Sequence, residues 1–113
     1  MDNGMKLVVA IVQDEDAGNL VDSLVQAGFG ATRINTAGGF LRHGNATVFV
    51  GVEEERVSEV LVVVRQNCTT RMQYINPMPP AMEPGEFYMP YPVEVQVGGA
   101  VIFVLDVERF ERF

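Results

Sequence analysis

Groups able to do covalent, acid–base or metal chemistry are scarce in this sequence. Its 113 residues include one lysine, Lys6, one histidine, His43, and one cysteine, Cys68. A lone cysteine excludes an intramolecular disulfide and any multi-cysteine metal cluster. A lone histidine excludes a two-histidine metal site. The only serines, Ser23 and Ser58, fall inside helical patterns, so no Ser/His/Asp set can be built. These shortages point away from an enzyme, and nothing calls for a cofactor. Positive charge is sparse too: 8 Lys+Arg against 15 Asp+Glu leave a net charge of −7, and the arginines are scattered. A nucleic-acid binder needs a basic face. A small anion held by backbone N–H groups and one or two arginines stays compatible. No apolar run reaches the ~18 residues of a membrane span, and Met1-Asp2-Asn3-Gly4 does not read as a signal peptide. The expected location is the cytoplasm.

What is present is a core. Apolar residues make up 48% of the chain, too many for a disordered polypeptide. The length fits one domain over 1–113, with residues 1–5 expected to be flexible. Lys6–Val12 is a β-branched run of strand length, suited to a strand covered on both faces. Asp16 then offers a helix N-cap, Ala17, Leu20, Val21 and Leu24 repeat at helical spacing, and Gly28 stands where a helix stops. Ala31–Thr36 and Thr47–Val52 read as an antiparallel strand pair. Glu53–Glu55 precede Val57, Val60, Leu61, Val64 and Cys68, which share a helical face. Residues 69–92 carry all six prolines, all three tyrosines and four of the six methionines. That density excludes helix and central strand and predicts one long loop. Val93–Val97 and Ala100–Val107 read as strands, with Gly98-Gly99 suited to a tight hairpin between them.

The order predicts an α+β fold, a ferredoxin-like β-α-β-β-α-β sandwich with an extra C-terminal hairpin strand. Its helix-free sheet face would be apolar, and an oligomer that covers it follows.

The local segment most suggestive of a site is Gly38-Gly39-Phe40-Leu41, which runs on to Gly44-Asn45. Glycines let consecutive N–H groups converge on an anion. Phe40 offers a flat apolar surface to a base, and the Asn45 amide matches the donor–acceptor edge of adenine. An ordinary hairpin loop with a buried Phe fits the same residues. The Pro/Met/Tyr loop reads equally as a passive tether or as a contact surface that orders on a partner.

Several segments occur in order that together are specific: Val9-Ala10-Ile11-Val12-Gln13-Asp14, Ala31-Thr32, Gly38-Gly39-Phe40-Leu41, Gly44-Asn45, Gly51-Val52, Arg56-Val57, Tyr91-Pro92-Val93-Glu94-Val95, Val97-Gly98-Gly99-Ala100 and Phe103-Val104. The chain resembles the PII-like cyclic di-AMP receptor proteins from Met5 to Phe113. The resemblance implies a cytoplasmic homotrimer of ferredoxin-like subunits, without catalytic activity, that binds cyclic di-AMP in clefts between subunits and signals to a protein partner. By position it implies that Thr32, Gly38, Gly39, Phe40, Leu41, Asn45, Gly51 and Phe103 line the cleft. Gly28 and Gly30 stand where family members carry asparagine and arginine, and Arg112 replaces a family glutamine. Arg112 is therefore a further candidate ligand contact, able to replace the charge absent at Gly30.

Overall fold

The computed structural model describes residues 4–36, 44–75 and 92–113. The elements run β1 (Met5–Gln13), α1 (Asp14–Gln26), β2 (Ala31–Thr36), β3 (Asn45–Glu53), a 3-10 turn (Glu54–Arg56), α2 (Val57–Cys68), β4 (Arg71–Ile75), β5 (Val93–Val97) and β6 (Ala100–Asp106). Four strands form one sheet in the order β2-β3-β1-β6, and β4 and β5 form a separate two-stranded sheet. Every pairing is antiparallel. The four-stranded sheet with two helices on one face is the ferredoxin-like sandwich that the element order predicts.

Alternation decides which side of the sheet meets the helices. Val8, Ala10 and Val12 of β1 stand opposite Val50, Val48 and Ala46 of β3, and all six are buried. Ala17, Leu20 and Leu24 of α1 and Val60, Val64 and Cys68 of α2 close over them in one core. Burying each large side chain contributes about 1.5–3 kcal/mol relative to exposure. α1 ends in a two-bond C-terminal motif. Phe29 N–H donates to Leu24 O at 2.9 Å, Gly28 N–H donates to Val25 O at 3.0 Å, and Gly28 sits at φ +91°. Only glycine holds that backbone without strain. Phe29 then tucks in, and the Arg56 guanidinium lies 4.3 Å above its ring.

The structure corrects four sequence expectations. β1 begins at Met5, inside the stretch expected to be flexible, because Met5 pairs with Glu53; residues 1–3 lie outside the described residues. Gln13, not Asp16, is the N-cap of α1, and Asp16 is the third helical residue with its side chain buried. Residues 71–75 form β4 rather than loop. The prolines begin only at Pro77, so this segment keeps its N–H donors and pairs with β5. Finally, β5 and β6 do not pair with each other. Gly98 and Gly99, at φ +83° and +93°, carry the chain from the two-stranded arm to the main sheet. Their N–H groups donate to Gln13 Oε1 and Cys68 O, which ties this crossing to the body, while β5 takes β4 and β6 takes β1 as its ladder partner. The additional strand pair therefore lies between α2 and the last sheet strand, not at the C-terminus.

Candidate functional site

The candidate residues can be placed by register. Thr32, Phe49, Val9 and Phe103 stand opposite one another in a row across all four strands, on the face away from the helices. Gly51 follows two residues after Phe49 and faces the same way, opposite Leu7 and beyond it Leu105. Asn45, at the start of β3, falls on this face too, opposite Gln13 and Thr36. Alternation thus brings Thr32, Asn45, Gly51 and Phe103 to one surface. Thr32 and Phe103 occupy its opposite edges, roughly 14 Å apart at about 4.8 Å per strand. Asn45 is 4% exposed and Phe103 44%. Gly38, Gly39, Phe40, Leu41 and His43 lie outside the described residues. Arg112 is exposed in the C-terminal segment; Glu111, one pairing partner open to it in sequence, is held by Arg109 at 2.6 Å.

Beside Asn45 the sheet meets the arm. A groove of about 310 Å³ opens there, lined by Gln13, Asp14, Glu15 and Gly44 on one side and by Gln73, Val95 and Val97 of the arm on the other. Asp14 N–H donates to Gly44 O at 3.0 Å, which fixes the end of the glycine-rich segment to the start of α1. Arg33 of β2 lies 3.8 Å from the Asp14 carboxylate. Among the described residues no His/Cys/Asp/Glu group is placed to hold a metal ion, and no helix is long and apolar enough to cross a membrane.

At the base of the arm Arg71 pairs with Asp16 at 2.8 Å. That hydrogen bond chiefly raises the pKa of the guanidinium, desolvation opposes it, and the Asp16 charge adds to the rise. Cys68 lies nearby, and burial pushes its thiol up to about 12; the Asp16 charge adds to this and Arg71 offsets part of it. Such a thiol is inert at neutral pH. Sequence reading missed this cluster. Asp16 looked like a cap and Arg71 like one more scattered cation. Separated by 55 residues, the two share no local pattern that could have paired them.

A family model described as cyclic-di-AMP receptor matches residues 5–113. The chain belongs to that family. A protein from Pediococcus pentosaceus described as functionally unknown is 44% identical, with a TM-score of 0.80, over 97% of this chain and 98% of its own. Arabidopsis thaliana PII bound to citrate shares 20% identity and a TM-score of 0.60 over 94% of this chain and 77% of its own. A DUF3240 family protein from Shewanella baltica shares 15% identity and a TM-score of 0.56 over 98% of both chains. The last two establish the fold. This member of the receptor family therefore has the PII-like α+β architecture.

Proposed function

We propose that this chain is a cytoplasmic homotrimeric receptor for cyclic di-AMP, with the nucleotide held in clefts between subunits and the signal passed to a protein partner. The observation that carries this reading is the placement of the described candidate residues Thr32, Asn45, Gly51 and Phe103 on one sheet face, with Thr32 on the β2 edge, Asn45 and Gly51 on β3 beside it, and Phe103 on the opposite β6 edge. A subunit cannot bring Thr32 and Phe103 to one end of a ligand, whereas the β2 edge of one copy against the β6 edge of the next can. β6 supports the same assembly. It is an edge strand whose Ile102, Phe103, Val104 and Leu105 are 36–48% exposed, on both faces. Such a strand invites a covering chain.

In this cleft Phe40 stacks on a base, Leu41 flanks it, and Asn45 reads its edge. Backbone N–H groups of Gly38 and Gly39 approach phosphate, and Gly51, with nothing within 4 Å of where a Cβ would stand, leaves room beside Phe49. Arg112 supplies the cation that Gly30 does not. Light scattering should give three chains per particle; a monomer at micromolar concentration removes the cleft. Titration calorimetry should show cyclic di-AMP binding above cyclic di-GMP and ATP. Preference for ATP would reassign the ligand, and no heat with any of the three would leave an interaction protein. Phe40→Ala should cost ~1–3 kcal/mol of binding, roughly 5- to 150-fold in Kd. Arg112→Ala should lose most binding, and Gly30→Arg in that background should restore part of it, since the space around Gly30 is open.

A further inference from the structure

Asp16 is a carboxylate with 7% of its side chain exposed. A buried charge needs a partner, and the partner here comes from the arm. Arg71 Nη2 donates to Asp16 Oδ1 at 2.8 Å, Nη1 donates to Oδ2 at 3.4 Å, and Nη1 also donates to Thr69 O at 3.2 Å. The strand opposite is tied at the same level. Val97, the register partner of Arg71, is buried, and Gly98 N–H donates to Gln13 Oε1 at 2.6 Å. Both strands of the arm are thus anchored to one point of the body, where β1 turns into α1.

Strand alternation makes this anchor directional. Arg71 and Gln73 stand opposite Val97 and Val95, so all four share one face of the arm. That is the face whose Gln73, Val95 and Val97 wall the groove, with Gln13, Asp14, Glu15 and Gly44 across from them. Gly44 ends the glycine-rich segment assigned above to the nucleotide. The Asp16–Arg71 pair and the Gln13–Gly98 bond thus tie the arm wall of this groove to the body.

We propose that Asp16 and Arg71 are positioning residues, an ion pair that holds the arm face Gln73/Val95/Val97 at a defined distance from the Gly44 wall and so sets the affinity for cyclic di-AMP. The ligand half of the proposal rests on the receptor reading; the anchoring half does not. The test uses the full chain with two measurements, hydrogen exchange of the ligand-free protein and calorimetric titration with cyclic di-AMP. In Arg71→Met, arm amides at 71–75 and 93–97 should exchange about tenfold faster or more, as expected for local release of a segment, while β1 and β3 keep their protection. The Kd should rise about tenfold, near 1.4 kcal/mol. Arg71→Lys keeps the charge and should regain part of both. If Arg71→Met fails to fold, the double variant Asp16→Asn/Arg71→Gln leaves no isolated buried charge and should show the same pair of changes. Unchanged arm exchange overturns the anchor. A loosened arm with unchanged Kd overturns the role in affinity. A parent protein that binds no cyclic di-AMP overturns the receptor reading and the ligand half with it, and exchange then decides the anchor by itself.

Discussion

The body and the arm of this molecule are held by different forces. In the body, alternate residues of β1 and β3 lie beneath two helices, and Val8, Val12, Ala46, Val48, Leu20, Leu24 and Val60 are fully out of solvent. In the arm, Val97 is the one strand residue that is buried among those whose side chains are described. Met72 and Tyr74 are more than half exposed. A two-stranded ribbon without a core is marginal in water, so its position depends on polar ties at the base: Asp16–Arg71, Gln13–Gly98 and Cys68–Gly99. The lesson is a separation of tasks. Hydrophobic burial supplies global stability, while a few directional bonds aim a segment that burial cannot aim.

That contrast can be broken at several points. The largest effect belongs to the body: Leu20→Ala should destabilise the protein by about 2–5 kcal/mol, read as a lower denaturant midpoint with arm and body unfolding together. A loss under 1 kcal/mol would mean that α1 is not integral to the core.

Gly98→Ala probes the join. A Cβ there would stand 2.5 Å from Thr69 O and 2.7 Å from Arg71 Nη1, at φ +83°. The backbone strain alone should cost about 1–3 kcal/mol, and the overlap with a main-chain oxygen adds to it. Thermal unfolding gives the total, and hydrogen exchange should show the increase concentrated in the arm. Uniform loss of protection would instead make the join part of the body.

Cys68 gives a smaller, pH-dependent effect. Below about pH 9 the thiol is protonated in both folded and unfolded chains. From there to about 12, the unfolded chain releases the proton and the folded chain retains it. Stability should therefore fall as pH rises across this window, by at most ~1.4 kcal/mol per pH unit. Cys68→Ala should flatten that slope. Native Cys68 should also resist alkylation at pH 8 until denaturant is added.

The smallest effects belong to the outer face of the arm. Met72→Ala and Tyr74→Ala should each change stability by no more than ~0.5 kcal/mol, measured by chemical denaturation. A larger loss would mean that this face packs on another chain in solution.

Much of the body was legible from residue order. The β-branched run of β1, the helical spacing of Leu20 and Leu24, the Val60/Val64/Cys68 stripe and the stop at Gly28 are local periodicities, and each predicts its own burial. They match the structure because a strand under helices and a helix on a sheet bury residues at fixed intervals whatever lies elsewhere in the chain. Of the candidate site, Thr32, Gly51 and Phe103 were selected by resemblance and Asn45 also by its amide, and alternation along β2, β3 and β6 explains why these four share a face.

The arm was not legible in the same way. Val93–Val97 reads as a strand, but its partner could not be chosen: Gly98-Gly99 suits a hairpin to β6 as well as a crossing between sheets. Arg71-Met72-Gln73-Tyr74 does alternate polar with apolar residues, but the run is short and leads straight into the proline-rich stretch, whose composition outweighs it. Asp16 and Arg71 are two unremarkable charges until the fold brings them within 2.8 Å. What the sequence determined by itself was therefore the sandwich, because periodic burial is written in neighbouring residues. The tertiary structure alone decided the strand pairing of the arm, the anchor at Asp16 and the division of the candidate site between two sheet edges, because hydrogen-bond and ion-pair partners are chosen by distance in space and not along the chain.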